Sequence, residues 1–344
     1  MNADPTLDAA LDRSIEAERS PPPTLGRSDR LQPLLLIAAI GAGLTLSKLA
    51  PRLSESIEPA ITIGVIALIF LVMLGVDVVG VGRAFTQRRF LTVAISINFV
   101  VNPLLAWGLG STFLGNEPEL WAGLILFLVT PCIGWYLIFT ELAGGDATLG
   151  VSLLAINVAL QLLLLPVYLW LFAGRVLAID ITMITTSVAT YLLLPFAAAA
   201  GVRRFVHAKH RTVTEVQTRL RLSAVKTGAL TLVIVAMFAS QGDALFDNPS
   251  VVWKIAPPIG LFFVLAFGVA LVAARLAGLP YEQAALLVFT TTSRNSEASL
   301  AIAVTAFASP LVALTVVMGP VIELPLLVLM VRCLLALRTR WSSR

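Results

Sequence analysis

The chain has 344 residues, of which 58% are hydrophobic and only 13% are charged, whereas soluble globular domains carry about 25% charged residues. So few polar groups cannot cover a surface that faces water, which excludes a soluble globular protein and indicates a lipid bilayer as the solvent. The net charge of +4 does not indicate nucleic-acid binding, because membrane proteins concentrate Lys and Arg in their cytoplasmic loops.

Residues 1–30 differ in composition from the rest of the chain. They carry charges throughout, include three consecutive prolines at 21–23 and lack the apolar run of a secretory signal. A segment of this kind cannot bury enough apolar surface to fold alone. We therefore predict a disordered cytoplasmic N-terminal tail.

About ten apolar runs follow the tail, each close to the 20 residues that an α-helix needs to cross a bilayer. Leu, Val, Ile and Ala dominate them, and helices are the spanning element that fits this length. The predicted spans, numbered in chain order, are 31–49, 61–80, 90–113, 120–142, 149–173, 177–201, 223–245, 250–276, 281–307 and 309–335.

The distribution of basic residues supports this number of spans. With ten spans, four basic segments fall on one side: the tail before span 1, the loops after spans 2 and 6, and the C-terminal end. The segments on the other side are poor in Lys and Arg. Because basic residues collect on the cytoplasmic side, both termini are predicted to be cytoplasmic, with the chain in the plasma membrane.

Ten spans divide into two groups of five whose first spans start on opposite sides of the membrane, a common plan of secondary transporters. We therefore predict an all-α polytopic membrane protein with about ten transmembrane helices in two inverted five-helix repeats. The predicted organisation is the tail at 1–30, the first five-helix repeat at 31–201, a basic cytoplasmic linker at 202–222, the remaining helices of the second repeat (which begins at about 177) at 223–335, and a cytoplasmic tail at 336–344.

Spans 4 and 9, the fourth of each group, are predicted to be interrupted. In span 4, Pro131 lacks an amide hydrogen, and Gly134 adds a second residue that weakens the helix. Span 9 contains an unbroken polar run: Thr290, Thr291, Thr292, Ser293, Arg294, Asn295, Ser296 and Glu297. Broken backbone at membrane depth is tolerated where it lines a cavity or is buried in protein, and its free amides and carbonyls can bind a substrate.

Arg294 and Glu297 are charges at a depth where an isolated charge costs about 2.5–3.5 kcal/mol to insert. Three positions apart, they could face each other on a helix as a structural ion pair. Alternatively they mark a transport pathway, as intramembrane charges usually do. The surrounding polar groups exceed what an ion pair needs, so we interpret Ser293, Arg294, Asn295 and Glu297 as substrate-binding residues.

Four further residues have both a structural and a functional interpretation. A lone cysteine such as Cys132 is commonly a packing residue, but its position beside a helix break favours a functional thiol. Asn102, Asn157 and Glu323 are either interhelical hydrogen-bonding groups or, together with Glu297, coupling or gating groups. Glu323 stands out among them because a carboxylate costs more to bury than an amide.

Four segments of the chain resemble the arsenical-resistance (arsenite efflux) permeases of the bile acid/sodium symporter superfamily. They are NPLLAW at 102–107, TPCIGWYLIFTELAGGDATLG at 130–150, SRNSEASLAIAV at 293–304 and GPVIELPLL at 319–327. The resemblance covers about 31–335 and implies two inverted repeats, a panel and a core domain, and helices 4 and 9 broken where they cross. It also implies an essential cysteine in span 4 and an essential carboxylate in span 9.

Cys132 matches the essential cysteine by its place after the proline, whereas Glu297 lies two residues before the position of the family's acid, which is Ser299 here. Arg294 and Asn295 stand where the sodium-coupled branch has a Gln-Asn pair, and a fixed positive charge there would repel Na⁺. This argues against sodium coupling and favours proton exchange or facilitated flux. Trivalent arsenic is soft and prefers sulfur, so Cys132 is a hypothetical transient ligand of As(III).

The resulting hypothesis is a secondary transporter that exports arsenite or antimonite in exchange for protons and confers arsenic resistance. The alternative is a sodium- or proton-coupled symporter of an organic anion, which Arg294 would clamp through its two-pronged guanidinium. A non-transporting sensor is disfavoured because the chain has no sizeable soluble domain. No enzyme motif, cofactor or nucleic-acid partner is indicated; the expected partners are a small inorganic or organic solute, protons and the lipid bilayer.

Overall fold

The computed structural model describes residues 27–50, 81–132, 135–173, 189–208, 222–247, 249–307 and 309–341, with isolated positions between 57 and 74 and at 182 and 186. Most of the predicted tail, span 2, the start of span 6 and the linker therefore lie outside the described residues. Within the described ranges every regular element is a helix, apart from an isolated antiparallel bridge between Pro131 and Arg294.

The apolar runs of the sequence form most of these helices. They are α1 (Arg27–Leu49), α2 (Val81–Thr86), α3 (Arg88–Phe113), α4 (Pro118–Leu128), α5 (Trp135–Leu142), α6 (Ala147–Tyr168), α7 (Leu194–Ala208), α8 (Leu222–Asp247), α9 (Pro249–Leu276), α10 (Tyr281–Thr292), α11 (Ser296–Ala306) and α12 (Pro310–Trp341). Three wider π-helical turns interrupt or flank them, at Ile97–Val101 within α3, at Leu169–Ala173 after α6 and at Ala189–Leu193 before α7.

Four of the described helices are long and apolar enough to cross a membrane: α3, α6 with its following turn, α9 and α12. Shorter apolar helical stretches lie at Ala38–Leu49, Pro118–Leu128 and Thr231–Ser240. Many large apolar side chains on these helices, such as Trp253 and Leu163, are exposed, as lipid-facing residues are. The prediction of an all-helical, multi-pass membrane protein is confirmed.

The last span is longer than predicted. The sequence places its end at 335, whereas α12 continues to Trp341. The Trp341 indole donates a hydrogen bond to the Leu279 carbonyl at 3.0 Å and lies under the Arg275 guanidinium, 4.7 Å from ring centroid to Cζ. These contacts hold the final turns of α12 against the loop between α9 and α10.

Small residues bring α4 and α12 into close contact at the centre of the molecule. A Cβ at Gly123 would lie 2.7 Å from the Thr315 Cβ, and a Cβ at Gly319 would overlap the Phe127 ring. Because the hydrophobic effect supplies no attraction between helices in lipid, such close van der Waals packing is what holds them together. Spans 4 and 10 therefore form one rigid surface beside the interruption in span 4.

Two pairs of elements share one spacing along the chain. The helix starts Pro118 and Tyr281 lie 163 positions apart, and so do Ala147 and Pro310. The order of elements is also the same in the two regions. Each has a short helix, a break, another short helix and then a long helix: α4, α5 and α6 in the first region, and α10, α11 and α12 in the second.

Candidate functional site

The predicted interruptions of spans 4 and 9 are present, and the two breaks meet. In span 4, α4 ends at Leu128 and α5 begins at Trp135; in span 9, α10 ends at Thr292 and α11 begins at Ser296. The segments 130–132 and 293–295 run antiparallel and exchange two main-chain hydrogen bonds. We call these six residues the crossover.

The crossover replaces helical hydrogen bonds that the breaks remove. Pro131 has no amide hydrogen to donate, so the chain leaves the helix there. The Cys132 amide donates to the Ser293 carbonyl at 3.1 Å, and the Asn295 amide donates to the Thr130 carbonyl at 3.0 Å. Each break therefore satisfies the backbone of the other. The second predicted break residue, Gly134, lies outside the described residues.

Cys132 and Asn295 each accept a hydrogen bond from the main-chain amide three residues later, close to the start of the second half-helix of their spans. The Asn295 Oδ1 accepts from the Ala298 amide at 3.1 Å, an ordinary asparagine N-cap. The Cys132 sulfur accepts from the Trp135 amide at 3.2 Å in the same relative position. The thiol is buried, with 3% of the residue exposed. Its sulfur therefore lies at the positive end of the α5 dipole, inside the protein.

Arg294 lies between α10 and α11 and is almost completely buried. Its Nη1 donates to the Leu128 carbonyl at 2.8 Å, its Nε donates to the Thr292 carbonyl at 3.2 Å, and its Nη2 donates to the Thr291 carbonyl. The ring of Phe262 in α9 lies 5.3 Å from Cζ. Since these carbonyls end α4 and α10, the guanidinium neutralises the negative ends of two half-helices.

Arg294 and Glu297 do not lie on one helix, because α11 begins at Ser296, and an ion pair between their side chains stays a prediction. Arg294 is outside both helices of span 9, and its guanidinium is held by main-chain carbonyls. The sequence does not reveal these partners, because one carbonyl comes from span 4 and the other two are freed only where α10 ends. The backbone of Glu297 belongs to the first turn of α11, and its side chain lies outside the described part of the structure.

Glu323 provides the acidic group of the crossover. It lies in the middle of α12, is buried, and its Oε1 accepts a hydrogen bond from the Arg294 amide at 2.8 Å. The carboxyl of Glu323 thus contacts the residue that carries the buried guanidinium, and two such groups offset each other's cost of leaving water. The sequence singled out Glu323 for its charge; the structure connects it to the second break.

Two hydroxyl groups join α4 to α11. The Thr130 and Ser299 hydroxyls are 2.6 Å apart, so one donates to the other, and each also lies within hydrogen-bond distance of the Leu126 carbonyl, at 3.1 and 3.2 Å. Ser299 occupies the position where the resemblance led us to expect a carboxylate, and here it is a buried hydrogen-bonding partner of the first break. Sequence analysis did not identify this pair, nor the Phe262 ring over Arg294.

The two asparagines predicted as coupling or gating groups both contact the last turn of α10. The Asn102 Nδ2 donates to the Thr291 carbonyl at 2.8 Å, and the Asn157 Nδ2 donates to the Thr290 hydroxyl at 3.0 Å. The Asn98 Nδ2 lies 3.5 Å from the same hydroxyl. The π-helical turn at Ile97–Val101 changes the helical register between Asn98 and Asn102, and turns of this kind are frequent at functional sites.

The crossover therefore combines a single thiol, a neutralised charge pair and several hydroxyl and amide groups. The Ser293 hydroxyl and the Asn295 Nδ2 have no hydrogen-bond partner among the described residues. The other cysteine, Cys333, lies partly buried in α12. Such a site can offer one soft ligand and several hydrogen-bonding groups to a small solute enclosed between broken helices.

Comparison with known proteins agrees with this geometry. Residues 36–248 match the Sodium Bile acid symporter family. The chain is 28% identical to the arsenical-resistance protein Acr3 of Corynebacterium glutamicum over 337 residues, covering 92% of this chain and 91% of that protein. It is 26% identical to an uncharacterised transporter of Synechocystis sp. over 338 residues, covering 90% and 88%, and 25% identical to the uncharacterised protein YbaS of Bacillus subtilis over 243 residues, covering 69% and 76%.

The family match covers more than half of the chain, and two of these relatives align with it over nearly their whole length. The apolar helices of the structure are those of a protein that lies in a membrane. The chain thus belongs to the Sodium Bile acid symporter family and is a membrane transporter.

Proposed function

We propose that the protein is a secondary transporter that exports arsenite and antimonite across the plasma membrane in exchange for protons, and that it confers arsenic resistance. The observation that carries this proposal is the buried sulfur of Cys132 at the point where the two broken helices meet. The similarity to an arsenical-resistance protein over 92% of the chain supports the same solute.

A single thiol suits a carrier of trivalent arsenic. Arsenous acid, As(OH)₃, reacts with a thiol to form one S–As bond, and the thiol proton leaves with one hydroxyl as water. The reverse reaction with water restores both partners. Soft As(III) prefers sulfur over the oxygen ligands around it, but one S–As bond holds it less firmly than three would. Cys132 can therefore capture the solute on one side and release it on the other.

The equal spacing of the two halves supports two inverted five-helix repeats with ten spans. Cys132 and Asn295 lie 163 positions apart, as do the helix pairs around them, and each accepts from the amide three residues later. Inverted repeats place a site at the bilayer midplane, where rocking of one part against the other exposes it to alternate sides. In this arrangement both termini face the cytoplasm.

The position of Arg294 supports proton coupling rather than sodium coupling. In broken-helix transporters, the C-terminal carbonyls of half-helices coordinate Na⁺. Here the carbonyls of Leu128, Thr291 and Thr292 are occupied by the guanidinium of Arg294. A fixed cation at this place repels a mobile one. The buried carboxyl of Glu323 and the carboxyl of Glu297 are the candidate proton carriers.

The organic-anion alternative has less support. Three of the five N–H donors of Arg294 are engaged by main-chain carbonyls, one from each nitrogen, so at most two donors are left for a carboxylate. The guanidinium therefore already has a structural role at the ends of two half-helices, which an anion clamp would not require.

Transport into everted membrane vesicles tests the proposed function. Arsenite and antimonite should accumulate when the vesicle interior is acid, and replacement of Na⁺ by K⁺ should leave the rate unchanged. Taurocholate serves as the organic-anion control and should not accumulate. Sodium-dependent taurocholate uptake without arsenite uptake would contradict the proposal.

A further inference from the structure

Three buried asparagines contact the end of α10 beside the crossover, and the buried Gln161 lies four residues after one of them on α6. Asn98 and Asn102 of α3, and Asn157 and Gln161 of α6, are each at most 2% exposed. The three asparagines donate their Nδ2 groups to Thr290 or Thr291 at the end of α10. We call these four side chains the amide cluster.

The amide cluster has an excess of hydrogen-bond acceptors. The Oδ1 atoms of the three asparagines, and both polar atoms of Gln161, have no hydrogen-bond partner in the part of the chain that the structure describes. The orientation of Asn102 is fixed, because a main-chain carbonyl can only accept and must face Nδ2. Native proteins leave few buried polar atoms unpaired, so several of them around one helix end indicate a ligand that supplies donors.

The charge of Arg294 determines what kind of donor this ligand carries. The Thr291 carbonyl accepts hydrogen bonds from both Asn102 Nδ2 and Arg294 Nη2, so the guanidinium is adjacent to the cluster. Amide oxygens could otherwise coordinate a metal cation. A positive charge so close, in a buried site of low dielectric, opposes the binding of any second cation. Uncharged O–H groups satisfy the oxygens without this repulsion.

We propose that the amide cluster binds the hydroxyl groups of a neutral, polyhydroxylated solute, and that during transport it holds an undissociated trihydroxide beside Cys132. Thr290 and Thr291, which contact the cluster, and Ser293, which contacts Cys132, lie within four consecutive residues. This inference rests on the proposed function. It divides recognition into two parts: the thiol selects a soft central atom, and the amides select uncharged hydroxyls.

Boric acid separates these two parts, because it is a neutral trihydroxide at pH 7 whose central atom has no affinity for sulfur. With the purified full-length protein in detergent, we expect boric acid to raise the unfolding temperature. In proteoliposomes it should raise the apparent KM for arsenite without changing kcat. Cys132→Ser should keep the boric acid shift in unfolding temperature.

Asn157→Leu has nearly the shape of the amide and removes its acceptor. We expect it to abolish the boric acid shift and to raise the KM for arsenite about tenfold, as the loss of one buried hydrogen bond would. Thr140→Val is the matched control, because it removes a buried hydroxyl of α5 that also has no partner among the described residues and lies outside the cluster. This variant should keep both responses.

The outcomes distinguish the cluster from the proposed function. If the wild type fails to move arsenite but boric acid still stabilises it through Asn157, the arsenite proposal fails and the hydroxyl site stands. If the wild type moves arsenite but boric acid neither stabilises it nor competes, the hydroxyl site is overturned. A third outcome would show a cation site instead. In that case NaCl, but neither KCl nor boric acid, would raise the unfolding temperature, and Asn157→Leu would lose this response. If Asn157→Leu does not fold, the competition between boric acid and arsenite in the wild-type protein alone decides whether the hydroxyl site exists.

Discussion

The two breaks of the crossover have the same backbone arrangement and different side chains. Each break follows a half-helix, pairs with the other break, and contains a side chain that accepts from the amide three residues later. The first carries Pro131 and Cys132 where the second carries Arg294 and Asn295. The geometry is thus shared, whereas the first break contributes a thiol and the second contributes a charge and an amide.

This difference indicates which side chain is present for structure and which for chemistry. Asparagine is among the best N-cap residues, so Asn295 has a sufficient structural role. Cysteine is not a preferred N-cap, yet the Cys132 sulfur accepts from the amide three residues later, as an N-cap side chain does. A residue that caps poorly where Ser, Thr or Asn would cap well is best explained by the reactivity of its sulfur.

Removal of the charge from the second break should have the largest effect on stability. Arg294→Ala removes the side-chain donor of the buried Leu128 and Thr292 carbonyls, one of two donors of the Thr291 carbonyl, and the charge that compensates Glu323. We expect a loss of about 3–5 kcal/mol in the free energy of unfolding, as for other broken buried charge pairs, together with loss of transport. Thermal unfolding of the purified protein measures it. Arg294→Lys keeps the positive charge but lacks the planar guanidinium, so its free energy of unfolding should lie between those of Arg294→Ala and the wild type.

Substitution of the acid should affect coupling more than folding. In Glu323→Gln the side-chain oxygen can still accept from the Arg294 amide, so we expect a loss of only about 1–2 kcal/mol in the free energy of unfolding. If Glu323 carries the exchanged proton, acceleration of arsenite uptake by a pH gradient should disappear while exchange without a gradient persists. A pH-gradient response equal to that of the wild type would move this role to Glu297.

The cap of the second break should have the smallest effect. Asn295→Ala removes the acceptor of the Ala298 amide and should cost about 0.5–2 kcal/mol of stability. Asn295→Ser restores a capping oxygen and should recover most of that loss in thermal unfolding. Equal unfolding temperatures for Ala and Ser would mean that Asn295 is not held in place as a cap.

The sequence predicts the helices and their interruptions because apolar length and Pro131 are local properties of the chain. It identifies most of the site for a similar reason, since Cys132, Arg294 and Glu323 are costly or unusual in an apolar span. It fails for partners that are distant in sequence. The contact of Arg294 with the Leu128 carbonyl joins residues 166 positions apart, and the amide cluster depends on a π-helical turn without a sequence signature.

Arsenite uptake by Cys132→Ser in everted vesicles, at matched expression, tests the central claim most directly. Serine is a good N-cap of similar size, so thermal unfolding should be unchanged or slightly improved. Arsenite transport should nevertheless fall by about a hundredfold, because oxygen does not replace sulfur as a ligand of As(III). The control Cys333→Ser, at the other cysteine of the chain, should transport normally. Transport by Cys132→Ser at the wild-type rate would contradict the role assigned to the thiol.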